Sequence, residues 1–126
     1  MKYSATLLEH YQNPRNVGVF DNKNPSIGTG VVGTPQDGDV IRLQIKVDEA
    51  GTIIDTRFKT YGCVASIASS SFVSEWLKGK SLTDAMAMAS TDIAKALNLP
   101  PLKIHCSILA TEAVKAAVAN YHSKQD

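Results

Sequence analysis

The chain has 126 residues, 44% of them apolar, enough for one domain over 1–126 with a core of its own. Its 13 basic and 12 acidic residues are interspersed for a formal charge of +1, which excludes a basic stripe for nucleic acid and a charged run for a membrane surface. No segment has the apolar length of a signal peptide or a membrane span, so a cytoplasmic protein is expected.

The stretch "SATLLEHY" at 4–11 predicts a short helix opened by Ser4. Residues 12–39 are rich in Gly, Pro, Asn and Asp and read as loop, with one short strand near Ile27 to Gly33. In "VIRLQIKV" Ile41, Leu43, Ile45 and Val47 alternate with polar residues, the period of a half-buried strand. "DEAG" turns the chain, and "TIIDTRFKTY" continues as a hairpin partner with Ile54, Thr56, Phe58 and Thr60 on one face. A helix follows Gly62 with Phe72, Val73, Trp76 and Leu77 as its apolar stripe, although serines at 69, 70 and 71 are unusual in a helix interior. Ser81 and Asp84 have capping-box spacing, and "TDIAKALN" makes another short helix.

The two prolines of "LPPLK" remove backbone donors and predict an extended ridge, Leu99, Pro100, Pro101, Leu102 and Lys103, standing off the domain. A long C-terminal helix begins at once, with Ile104, Ile108, Leu109, Val114 and Val118 as its apolar positions. The fold class is therefore α+β: a small three-stranded antiparallel sheet packed by several helices, the longest C-terminal.

Reactive side chains stand where elements begin or end: Asp37 and Asp39, Cys63, and His105 with Cys106. A helix N-terminus favours the thiolate of Cys106, and Lys103 adds a positive charge nearby. Taken singly, each has a plainer reading. Cys63 serves equally as a small buried hydrophobe, His105 as a cap, and Asp37 and Asp39 as turn residues around Gly38.

Taken together, "HYQNPRNVG" at 10–18, "FKTYGC" at 58–63, "SIASSS" at 66–71, "EWLKGKS" at 75–81 and "LPPLKIHCSILA" at 99–110 resemble the IscU family of iron-sulfur cluster assembly scaffolds, a NifU N-terminal-like group. The resemblance implies a SufE/NifU-like two-layer fold and a non-enzymatic scaffold. On such a scaffold a labile two-iron two-sulfur (2Fe-2S) cluster is built from iron and the sulfur of a cysteine desulfurase, then passed to acceptor apoproteins. It implies Zn²⁺ as an alternative occupant, and ferredoxin and a frataxin-like protein as further partners. By the same resemblance Cys63, His105 and Cys106 are ligands, Asp39 is the aspartate of the site, and residues 99–103 are bound by a heat-shock-type chaperone with its J-domain co-chaperone.

Two departures touch the site. At 35–39 the family pattern Pro, any residue, Cys, Gly, Asp is here "PQDGD", so Asp37 stands in the first cysteine's place and becomes the candidate oxygen ligand. After Cys63 the family's Gly-Ser-Ala is Val64, Ala65 and Ser66, and a β-branched valine in place of glycine is expected to restrict the Cys63 loop. A hard oxygen in place of a soft thiolate favours zinc relative to the cluster. Three readings compete: a scaffold with an oxygen ligand, a variant that keeps zinc or partner binding with impaired assembly, and a thiol enzyme with Cys63 as nucleophile, His105 as base and Asp37 as its orienter. Residues 105 and 106 point about 100° apart on a helix, which argues against Cys106 as the nucleophile paired with His105.

Overall fold

The computed structural model describes residues 2–125, so the ends of the expected 1–126 span lie outside the described residues. Helix α1 (Ala5–Gln12) is followed by strands β1 (Ile27–Thr34), β2 (Asp39–Val47) and β3 (Ile53–Tyr61), and then by helices α2 (Val64–Trp76), α3 (Leu82–Met86), α4 (Ser90–Leu97) and α5 (Ile104–Ser123). Single 3₁₀ turns, Pro35–Asp37 and Pro101–Lys103, precede β2 and α5. The strands form an antiparallel meander in the order β1-β2-β3, the α+β arrangement expected. No helix among the described residues is long and apolar enough to cross a membrane.

Helix α5 lies flush on β1. A Cβ on Gly28 would stand 2.2 Å from the Ala117 carbonyl oxygen, and one on Gly30 would stand 2.4 Å from that of Ala113. Backbone meets backbone there, so no side chain fits between. As β1 runs from Gly28 to Gly30, its α5 neighbours step back from Tyr121 to Ala113, so the two elements are antiparallel. The N-terminus of α5 therefore arrives at the sheet end where β1 stops and β2 starts.

On β2 the apolar positions Ile41, Leu43, Ile45 and Val47 are buried as the alternation required, and they join Leu7, Phe58, Val73, Ile93 and Leu97 in one core. Full burial of each such side chain contributes roughly 1.5–3 kcal/mol. The opposite face is less open than alternation implied. Gln44 is buried because the Phe20 segment lies over it: the Phe20 N–H donates to Gln44 Oε1 at 2.7 Å, and Gln44 Nε2 donates to the Phe20 carbonyl.

Four sequence expectations are corrected. On β3 the inward residue is Ile53, not the half-exposed Ile54, because the β2–β3 register shifts between Lys46 and Val47 and moves one residue to the other face. Along α5, Ile104 and Ile108 face solvent, and the buried face is built from Cys106, Ser107, Ala110, Ala113 and Ala117, small residues suited to close packing. The ridge is not uniformly extended: Leu99 is buried, Pro100 is extended, and Pro101–Lys103 close a 3₁₀ turn that exposes Leu102. On α2 Phe72 and Trp76 are only partly buried, whereas Ser66, Ser69, Ser70, Ser71 and Ser74 are buried.

Most of these serines stay satisfied by tying other elements to α2. Ser70 and Thr60 Oγ1 are 2.8 Å apart, and Thr56 Oγ1 donates to the Ser74 carbonyl. Ser71 Oγ accepts the Arg15 N–H at 2.9 Å and lies within hydrogen-bond distance, 2.8 Å, of His10 Nδ1. Ser4 caps α1 by accepting the Leu7 N–H and also donates to the Leu97 carbonyl, binding α1 to α4.

Gly30→Ala is expected to lower stability by about 2–3 kcal/mol, because the α5 backbone must move; urea denaturation followed by circular dichroism reads the loss. His10 is held below its ordinary imidazole pKa of 6.5 by burial first and by Arg15 second, with Glu75 and Glu9 opposing. The unfolded chain then takes up the proton more readily, so this contribution to stability is intact above the unfolded pKa and is lost as pH falls below it. The urea midpoint is expected to drop from about pH 7.5 to about pH 5.5, and to drop less in His10→Gln; equal drops would contradict the assignment.

Candidate metal centre

Strand β2 starts at Asp39 and β3 ends at Tyr61, paired with Val40, so both chain ends open at the same edge of the sheet. Two residues beyond Tyr61, Cys63 is the N-cap of α2. Cys106 and His105 lie in the first turn of α5, which its contact with β1 brings to that edge. Asp39, Cys63 and Cys106 thus meet, each offering a donor atom within 4.8 Å of the others, and the two sulfurs are 3.8 Å apart.

Asp39 is the anchor. Its Oδ1 accepts the Cys63 N–H at 3.2 Å and the Ser66 hydroxyl, and its Oδ2 lies 3.5 Å from His105 Nε2. Burial raises its carboxyl pKa, but the bonds from Ser66, Cys63 and His105 together outweigh it and hold the pKa below the usual value. Gly62 makes this approach possible, since a Cβ there would stand 2.1 Å from Asp39 Oδ1.

The two thiols differ. For Cys63 burial raises the pKa, yet the Ser66 hydroxyl and N–H and the Cys106 thiol bring it below the ordinary thiol value. Cys106 is fully buried, and desolvation pushes it up to about 12 against the lowering bond from Ser66. The expected thiolate at Cys106 is therefore corrected: burial exceeds the helix terminus, and Cys63 is the thiolate-prone residue. Lys103 follows the same division. Its ammonium pKa is raised first by Cys63 and to a smaller extent by Cys106.

His105 is exposed, with Nε2 3.6 Å from Cys106 Sγ, so the ring folds back over the turn despite the divergence of adjacent helix positions. Asp37 stands apart from the trio. Its exposed carboxylate accepts the Thr34 hydroxyl at 2.8 Å in the 3₁₀ turn, and it shares with Asp39 and His105 the lining of a cavity of about 250 Å³. No hydrogen bond joins Cys63 to His105 or His105 to Asp37 among the described residues, so the three members of the proposed thiol-enzyme triad are not assembled. Val64 occupies the first position of α2 and has no positive φ, so the glycine freedom expected to matter there is not used.

Ser66 was missed as a member of the site. One helical turn after the N-cap, it is buried and lies 3.4 Å from each sulfur as well as bonded to Asp39. The available signal is its spacing of three from Cys63 at a helix start, which turns the two side chains toward each other. Two thiol sulfurs, a carboxylate and a flanking imidazole form a mixed S, O, N donor set. Zinc accepts those ligand types, with Zn–S bonds of about 2.3 Å, and the sulfur separation suits two ligands of one tetrahedral ion. Thiolates also suit iron-sulfur clusters.

The model of the NifU-like N terminal domain matches residues 2–126. This chain belongs to that family. It is 60% identical over 126 residues, 100% of this chain and 98% of its counterpart, to the iron-sulfur cluster assembly scaffold protein IscU of Escherichia coli. It is 58% identical over 123 residues, 98% of this chain and 80% of the other, to a Drosophila melanogaster protein named iron-sulfur cluster assembly enzyme IscU. Among solved structures, a nitrogen-fixing NifU-like protein (N-terminal) from Brucella abortus superposes with a TM-score of 0.73 at 17% identity, covering 97% of this chain and 95% of that one. At that identity the likeness establishes the NifU-like fold alone.

Iodoacetamide near neutral pH is expected to modify Cys63 in the folded protein and to reach Cys106 only after unfolding, as read by peptide mass mapping. Faster labelling of Cys106 would contradict the assigned order.

Proposed function

We propose that this NifU-like domain, over 1–126, is a scaffold on which a two-iron two-sulfur cluster is assembled from iron and desulfurase-derived sulfur and then transferred to apoproteins. The observation that carries this is the convergence of Asp39, Cys63 and Cys106 at an open sheet edge, in a chain whose relatives are named for cluster assembly. The cluster is cargo, and a site for cargo must hold and release it.

Asp37, Cys63, His105 and Cys106 are the proposed cluster ligands, with Asp39 as a further metal-binding group, and zinc is the proposed alternative occupant. Cys63, thiolate-prone and half-buried, is the group available first to incoming iron or sulfur. Cys106 keeps its proton until a metal displaces it, so loading releases a proton from this thiol. Lys103 holds positive charge beside Cys63 while the site fills. Two free thiols this close also suit a reducing compartment such as the cytoplasm.

The same reading assigns partners. The cysteine desulfurase supplies sulfur, and ferredoxin and a frataxin-like protein support assembly. The heat-shock-type chaperone with its J-domain co-chaperone takes the ridge Leu99 to Lys103, of which Leu99 is the buried root and Leu102 the part offered outward.

A second reading, a scaffold variant that retains zinc or partner binding with impaired assembly, is favoured by one observation. The Asp37 carboxylate is exposed and engaged by Thr34 rather than gathered with the other donors. Anaerobic reconstitution with iron, cysteine and a desulfurase distinguishes the two, read by visible absorption and elemental analysis. The chain and its Asp37→Cys form are both expected to hold the cluster, with the chain losing it faster to a chelator. Cluster in the Asp37→Cys form alone would establish the second reading. Cys106→Ala is expected to lose most of its metal, and unchanged metal content would overturn both.

A further inference from the structure

The geometry points to the Ser66 hydroxyl as a placeholder in the metal centre: it joins the three donor atoms that a metal ion would join, and an ion binds there by displacing it. This rests on the metal-centre reading above and goes beyond it, because it assigns to a residue outside the ligand set control over how tightly the site holds metal.

Ser66 is fully buried in the first turn of α2, on the side of the helix that faces back toward the N-cap Cys63. A hydroxyl has one hydrogen and two lone pairs. Its hydrogen goes to Asp39 Oδ1, the charged and therefore stronger acceptor. Cys63 Sγ and Cys106 Sγ lie on its other sides, each at 3.4 Å and within hydrogen-bond reach of the same hydroxyl. One hydroxyl thus faces all three donors.

An ion bonded to both sulfurs and to Asp39 Oδ1, the oxygen that Ser66 holds, has to stand among the same three atoms. A neutral alcohol is not among the usual protein ligands of zinc, so the hydroxyl yields its place rather than joining the coordination. Each loading event then breaks the Ser66–Asp39 bond, and each release restores it. Ser66 lowers the affinity of the centre below what its donors alone provide and favours release, the property required of a site whose metal is passed on.

The test is Zn²⁺ titration of the full chain against a chromophoric chelator, comparing the wild type with Ser66→Ala, a residue well suited to a helix. The variant is expected to bind zinc at least about tenfold more tightly. Equal affinity would overturn the inference, and weaker affinity would make Ser66 a ligand. Thermal unfolding gives a readout that a merely structural role would not produce. Chelator-treated Ser66→Ala is expected to melt below the wild type, yet to gain more in Tm from added zinc. A zinc-induced gain no larger than that of the wild type would overturn the inference. The wild type alone supplies a further check by proton NMR: the buried Ser66 hydroxyl proton is expected to disappear with one equivalent of zinc, and its persistence would overturn displacement. Failure of the wild type itself to bind zinc would overturn the metal-centre reading and the placeholder with it, an outcome distinct from an unchanged affinity in the variant.

Discussion

The close seat of α5 on β1 is the constraint on which the remaining structure depends. Gly28 and Gly30 let the two backbones meet, and the small residues Ala113 and Ala117 complete the contact from the helix side. Because the helix runs antiparallel to β1, its first turn is delivered to the end of the sheet where β2 begins and β3 finishes. Cys106 and His105 reach Asp39 and Cys63 by that route, across more than forty residues of chain. The candidate metal centre follows from how a helix lies on a sheet, and local loop conformation only completes it.

Around that meeting point the electrostatics are divided between inside and outside. Cys106 is sealed beneath the first turn of α5 and kept protonated by desolvation. Cys63, at the N-cap of α2, receives enough hydrogen bonding to favour the thiolate despite its own burial. Asp39 connects them through Ser66 and the Cys63 amide, so the three donors are preorganised before anything binds.

The buried serines of α2 are the second organising feature. A helix lined with hydroxyls gains less from apolar burial than one lined with leucine, and it compensates by hydrogen-bonding its neighbours. Ser71 meets His10 and the Arg15 amide, Ser70 meets Thr60, and Ser66 meets the metal centre. One helix thereby ties the N-terminal segment, the edge strand and the donor set to a single element. Ser69 Oγ alone among these hydroxyls has no partner, and nothing in the structure explains it.

By itself the sequence determined the α+β class, the hairpin of β2 and β3, the caps at Ser4 and Ser81, and the three segments that carry chemistry, because alternation, capping and turn chemistry are local and printed in residue order. Tertiary structure decided the rest. The register shift that turns Ile53 inward depends on pairing with β2, and the exposure of Ile104 and Ile108 depends on which face of α5 the glycines of β1 admit. Burial overturned the thiolate expected at Cys106, since desolvation is set by neighbours distant in sequence. Asp37 kept its place in the motif but not its place among the donors, because Thr34 holds it in the turn. Ser66 was hidden among serines of apparently equal standing, and only the approach of α5 to α2 brings its hydroxyl between two sulfurs and a carboxylate.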